Sequence, residues 1–196
     1  MKLLLASASP RRKELLASCC EFETVPSRFE EAASGSAAEV VLFNARGKAH
    51  EVLARFPDCR VLGADTVVAL DHAILGKPKD GEDAKRMLRL LSGRVHSVFT
   101  GVCIADANGS VERVVETKVL FKTLSENLIN EYVLSGTPLD KAGAYGIQDG
   151  IVVASIDGSY TNVMGLPMEA VSEMLNSRNA YDKTCNRYRN ERDKNL

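Results

Sequence analysis

Apolar and polar positions along this chain switch between two periods, and the switches mark its elements. Leu3 to Ala6 is a short unbroken apolar run that reads as a buried strand. Ser9 then offers an N-cap and Pro10 a first helical residue, for a helix that buries Leu15, Leu16 and Cys19. Phe22 to Val25 predicts a second strand, and Pro26 to Gly35 a loop containing Glu30 and Glu31. Ser36 and Glu39 form a capping box that opens a longer helix, whose apolar stripe is Val41, Ala45, Ala49, Val52 and Phe56. Lys48 falls inside that stripe. Arg60 to Leu70 predicts the central strand, because Leu62 to Leu70 is apolar throughout except for Asp65 and Thr66. A tight turn at Asp71-His72-Ala73 returns the chain through Ile74 and Leu75 to Gly76-Lys77-Pro78.

The second half repeats the alternation. Asp80 caps a helix with the stripe Ala84, Met87, Leu88 and Leu91, ended by Gly93. Val95–Ala105 and Ser110–Phe121 read as two long strands joined at Asn108-Gly109, a strong hairpin signal. A helix is predicted from about Ser125 to Ser135. Pro138 to Gly150 is too glycine-rich for a helix and too long for a hairpin, and long loops in compact domains often carry function. Ile151–Ile156 and Tyr160–Met164 are read as a last hairpin around Asp157-Gly158, followed by a helix from Leu166-Pro167 that packs Val171, Met174 and Leu175. From Arg178 the pattern stops, so 1–178 is expected to form one α/β domain and 179–196 a polar tail.

Composition narrows the classes. The chain has 196 residues, 45% hydrophobic and 26% charged, the profile of an ordinary globule. A formal net charge of -1 gives no global basic footprint for nucleic acid, so any polyanion site is local. The five cysteines are odd in number and include no C-x-x-C pair, which argues for reduced thiols and against a disulfide frame or zinc site. No run approaches the ~18 apolar residues of a membrane helix, and Pro10-Arg11-Arg12-Lys13 interrupts the only leader-like start. A cytoplasmic protein with no membrane partner is the expectation.

Asp65 is the first candidate for chemistry. A carboxylate within an apolar strand needs a cation, a metal ion or a set of donors, because burying it unpaired costs several kcal/mol or more. Backbone amides at a strand end would serve; so would one of several basic residues. Arg11 and Arg12 occupy the first turn of a helix, the end where its dipole disfavours cations. They fit if an anion docks there with Ser7 and free backbone N–H groups, and otherwise are a solvated basic turn. Lys48 is either a snorkelling lysine or one held beside the core to meet phosphate. Lys77 sits on a rigid turn that is not a Walker loop, since Asp71 and Pro78 replace the required glycine and hydroxyl residue. Gln148 is either a solvated loop residue or an amide placed to read a base edge.

Several stretches together resemble the Maf-like nucleotide pyrophosphatases. They are Leu5-Ala6-Ser7-Ala8-Ser9-Pro10-Arg11-Arg12, Glu30-Glu31, Ala45-Arg46-Gly47-Lys48-Ala49, Gly63-Ala64-Asp65-Thr66, Gly76-Lys77-Pro78, Leu91-Ser92-Gly93, Asp140 to Gln148, and Val163-Met164-Gly165-Leu166-Pro167, in the family's order. The resemblance implies an elongated two-lobed α/β fold with a mixed twisted sheet and flanking helices, like inosine triphosphate pyrophosphatases. It implies hydrolysis of a nucleoside triphosphate at the α–β bond with a divalent metal, Mg or Mn, and an assembly that is often a homodimer. Asp65 matches the presumed general base; Arg11, Thr66 and Gln148 match the residues linked to base choice. Arg, Thr and Gln at those places resemble the dTTP/UTP subgroup, whereas the 7-methyl-GTP subgroup tends to carry an aromatic residue, Gln and Glu. The chain departs from the pattern around Phe29 and after Gln148, where Asp149-Gly150 shortens a glycine-rich continuation, so modified pyrimidines stay open as substrates.

The expected site therefore has Ser7, Arg11, Arg12, Lys48 and Lys77 on a triphosphate. Glu31 and Asp65 bind metal, orient water or both, a sparse acidic set that suits magnesium. The alternatives are a 7-methyl-GTP enzyme, or a nucleotide-binding regulator of septum formation without turnover.

Overall fold

In the computed structural model, which describes residues 1–71 and 73–178, one mixed sheet runs through the molecule. Its strands are β1 (Leu3–Leu5), β2 (Glu23–Thr24), β3 (Arg60–Leu70), β4 (Ala73–Leu75), β5 (Val95–Asp106), β6 (Gly109–Phe121) and β7 (Val153–Asp157). The order is β2-β1-β3-β5-β6-β7, with β4 paired to β3 alone. β1 lies parallel to β2 and β3, and the other pairings are antiparallel. The element order follows the hydrophobic pattern as far as β7, and the mixed sheet is the one the family resemblance implies. The polar tail over 179–196, with Cys185, and the turn residue His72 lie outside the described residues.

Helices α1 (Pro10–Ala17), α2 (Ala37–Arg55), α3 (Gly81–Leu91), α4 (Glu126–Leu134), α5 (Tyr160–Met164) and α6 (168–178) flank the sheet. Both halves of the Ser36–Glu39 capping box form at the start of α2. The stripe Val41, Ala45, Ala49 and Val52 is buried against β3 and β5. Two glycines permit this approach: a Cβ on Gly63 would lie 2.3 Å from the Ala45 carbonyl oxygen, and one on Gly101 2.3 Å from that of Val41. Phe56 does not belong to the stripe; it follows the helix as its C-cap and is exposed.

Two more expectations are corrected. Tyr160–Met164 is not the return strand of a hairpin but α5, because Ser159 accepts the Asn162 N–H and starts a helical turn. β7 pairs with β6 instead. The last helix also runs through Arg178, which is buried with a guanidinium nitrogen 3.9 Å from Asp106. The glycine-rich segment is neither helix nor hairpin, as expected; it winds through three short 3-10 turns, Thr137–Asp140, Ala142–Ala144 and Ile147–Asp149.

The core divides around the sheet. One cluster joins α3 and α4 to the C-terminal end of β3 and to Tyr145; a second packs Leu16, Leu62, Ile104 and Leu166 with α6; a third lies under α2. The middle of β3, with Asp65 and Thr66, lies at the floor of a cleft among these layers.

Candidate active site

α2 and the loop before it are fastened together along one helix face. Glu51 accepts hydrogen bonds from Ser27 Oγ at 2.9 Å and the Arg28 N–H at 3.0 Å. The Phe29 ring lies flat against Gly47, where a Cβ would be 2.2 Å from it. Asn44 accepts the Ala32 N–H at 2.8 Å and donates to the Ala32 carbonyl at 2.9 Å. This anchoring brings Glu31, exposed on its loop, to Lys48.

Lys48 and Asp65 meet at the cleft floor. Lys48 Nζ stands 2.7 Å from Asp65 Oδ1 and 2.7 Å from Glu31 Oε1, with its side chain 10% exposed. It does not snorkel to solvent; its ammonium is shared by two carboxylates. Asn44 Nδ2 donates to the other Asp65 oxygen at 2.9 Å. Asp65 is thus held by a cation and an amide from α2, not by strand-end backbone amides.

Arg12 reaches across the cleft. Its Nε donates to the Gly165 carbonyl at 2.8 Å, and its Nη2 to Thr66 Oγ1 at 3.0 Å. Ser7 Oγ, 3.4 Å from Nη1, also accepts the Ser9 N–H at 3.2 Å. Burial pulls the Arg12 pKa below its ordinary value, opposed by the nearby carboxylates of Asp65 and Glu31. Thr66 in turn touches Thr100 on β5 at 3.0 Å, oxygen to oxygen. Arg12 therefore ties α1, β3 and the end of α5 into one frame.

Arg11 turns the other way, donating to Asp140 at 2.9 Å across the mouth of the cleft. Burial pushes the Asp140 carboxyl up, but hydrogen bonds from Lys141 and Arg11 outweigh it and hold the pKa below the usual carboxylate range. Lys141 is buried, donating to Asp140 and to the Thr137 carbonyl. Lys77 and Gln148 are exposed on the cleft wall.

The main chamber, about 430 Å³, is lined by Arg11, Arg12, Glu31, Lys48, Asp65, Thr66, Lys77 and Gln148 together. Ser7 lines an adjoining hollow of about 320 Å³ that shares Arg11, Arg12, Glu31, Lys48 and Lys77 with it. All eight other anticipated residues therefore converge on the chamber, and Ser7 on its annex. Asn44, Asp140 and Lys141 were not anticipated. Asn44 had a signal: it lies four residues before Lys48, hence on the same helix face. A larger hollow of about 940 Å³, bordered by Cys19, Cys20, Phe22 and Arg60, contains none of the anticipated residues.

The family's sequence model, described as Maf-like protein, matches residues 2–178. The chain belongs to the Maf-like family. Curated relatives extend over most of it. It is 49% identical over 172 residues to a dTTP/UTP pyrophosphatase of Thermococcus gammatolerans, covering 86% of this chain and 92% of that protein. It is 49% identical over 184 residues to one of Salmonella typhimurium, covering 91% and 93%. It is 46% identical over 176 residues to one of Pyrococcus abyssi, covering 88% and 94%.

Proposed function

We propose that this Maf-like protein hydrolyses dTTP and UTP to the monophosphate and pyrophosphate in the cleft above Asp65. The observation that carries the reading is the shared ammonium: Lys48 held 2.7 Å from both Glu31 and Asp65, in a chamber that also gathers Arg11, Arg12, Lys77 and Gln148. The names of the relatives supply the substrates.

A triphosphate brings about four negative charges, and hydrolysis spreads charge over the phosphoryl oxygens, so positioning and electrostatics do most of the work. Lys77 has no ion-pair partner among the described residues and is the cation most ready to meet phosphate. Lys48 and Arg11 would exchange a protein carboxylate for a phosphate oxygen, which offsets part of the binding energy. Arg12, engaged by Gly165 and Thr66, contributes its charge and the shape of the frame. Asp65 takes the proton as the water oxygen attacks phosphorus; the α–β bridging P–O bond breaks and pyrophosphate leaves. Arg11, Thr66 and Gln148 choose the base.

Among the described residues, no three or more Asp, Glu, His or Cys side chains gather into a ligand set. The two carboxylates that converge on Lys48 nevertheless fit a hard divalent cation, which needs one or two of them plus phosphate oxygens and water. Glu31 and Asp65 would hold Mg or Mn, and the ion would neutralise charge developing on phosphate. The substrate is the partner in this reading, with neither nucleic acid nor membrane. Four free thiols among the described residues support a cytoplasmic place, and the family resemblance supports a homodimer.

Pyrophosphate release tests the proposal across dTTP, UTP, CTP, the purine triphosphates and 7-methyl-GTP, with and without Mg or Mn. The expected result is metal-supported release fastest with dTTP and UTP. Faster turnover of 7-methyl-GTP would reassign the substrate; binding without any release would make the protein a regulator. Gln148→Glu is expected to shift the ratio of pyrimidine to 7-methyl-guanine turnover.

A further inference from the structure

The turn that carries Gln148 is held from behind by one hydroxyl. Tyr132 stands on α4 with its ring in the core beside Tyr145 and Phe121. Its O–H donates to Asp149 Oδ2 and accepts the Gly146 N–H at 3.0 Å. Gly146 and Asp149 are the two ends of the 3-10 turn that presents Gln148. No side-chain cap holds this turn from within. Ile147 is buried beneath it, while Gln148 is exposed to the cleft. A single buried hydroxyl therefore braces the turn from its base, beside the backbone bond from the Asp149 N–H to the Gly146 carbonyl at 3.2 Å. Burial, and then the bond to Asp149, raises the Tyr132 pKa, so the hydroxyl keeps its proton at neutral pH.

An exposed glutamine has three side-chain torsions, and it discriminates between base edges only if its backbone holds still. We infer that Tyr132 is a positioning residue for base selection: it fixes the 146–149 turn so that the Gln148 amide meets the base in one orientation. The inference rests on reading the cleft as a pyrimidine triphosphate site. Asp149 is part of the device, and it falls where the chain departs from the family's glycine-rich continuation. Tyr132 itself does not line the chamber.

The test compares kcat/KM for UTP and CTP, whose bases differ in the polar edge an amide can read. Tyr132→Phe keeps the ring and removes both hydrogen bonds. The preference for UTP is expected to fall on the order of tenfold, the scale of one or two ordinary hydrogen bonds. The loss should appear in KM for UTP, with kcat changed less than about twofold on that scale. Asp149→Ala is expected to reproduce the loss; Asp149→Asn, which retains an acceptor oxygen for Tyr132, should preserve the wild-type ratio. An unchanged ratio in Tyr132→Phe, or equal losses on UTP and CTP with a lowered unfolding midpoint, would overturn the inference. If the wild type shows no preference for UTP, the reading of the cleft fails and takes this inference with it; if the preference exists and survives Tyr132→Phe, only the role of Tyr132 fails.

Discussion

Lys48→Met isolates the electrostatics of the cleft floor. The substitution keeps most of the aliphatic stem in the stripe of α2 and removes the ammonium shared by Asp65 and Glu31. Glu31 is 57% exposed at its side chain and can turn to water, so it loses little. Asp65 is 10% exposed and cannot; it keeps only the Asn44 amide. Breaking a buried ion pair from one side typically costs about 3–5 kcal/mol. The expected loss of unfolding free energy is therefore about 3–5 kcal/mol. Urea unfolding at neutral pH measures it. Asp65→Asn removes the buried charge, so the double variant should be more stable than Lys48→Met alone, with a coupling of about 2 kcal/mol or more. Additive losses within about 0.5 kcal/mol would refute the argument.

Other perturbations probe the rest of the frame. Gly63→Ala drives a methyl group to 2.3 Å from the Ala45 carbonyl, so α2 must move off the sheet. Stability should fall by about 3 kcal/mol together with activity, and normal urea unfolding would contradict the close packing. Burial lowers the His96 pKa from 6.5 to about 4. Between those values the unfolded chain binds a proton that the folded protein refuses, so stability falls as pH drops through that window, by up to about 3 kcal/mol. In His96→Leu the slope over pH 4–6.5 should flatten; an unchanged slope would assign it elsewhere. Asn44→Asp places a second carboxylate where an amide now lies 2.9 Å from Asp65. It replaces a hydrogen bond to the Asp65 carboxylate by like-charge repulsion, so unfolding free energy should fall by about 1 kcal/mol or more, and an unchanged urea midpoint would count against the contact.

The strands and the two anomalous charges were legible in the sequence because their signals are local, whereas the mixed sheet and the roles of Arg11, Thr66 and Gln148 came from the family resemblance. Asp65 stands out in an apolar strand, and Lys48 in an apolar helical stripe; the same anomaly marks both ends of one ion pair. Asn44 shares that helix face, yet a buried asparagine carries no charge to flag it. Tyr160–Met164 misled because its tyrosine, threonine and valine favour strands, while the deciding feature was the single Ser159 cap. Arg12 shows the limit of spacing arguments. Its excess positive charge at a helix start pointed to an anion, but the guanidinium is engaged by the Gly165 carbonyl and Thr66, contacts about 150 and 50 residues away. The Tyr132 hydroxyl under the Gln148 turn is likewise tertiary, formed only when α4 packs against the loop.

The central claim is that the Asp65 carboxylate performs the hydrolysis in this cleft, and product analysis of dTTP turnover by the wild type and Asp65→Asn tests it most directly. The wild type should yield dTMP and pyrophosphate. The variant, folded and still binding dTTP, should lose on the order of a thousandfold in rate. A folded Asp65→Asn protein that releases pyrophosphate at the wild-type rate, or a wild type that releases dTDP and phosphate, would contradict the account.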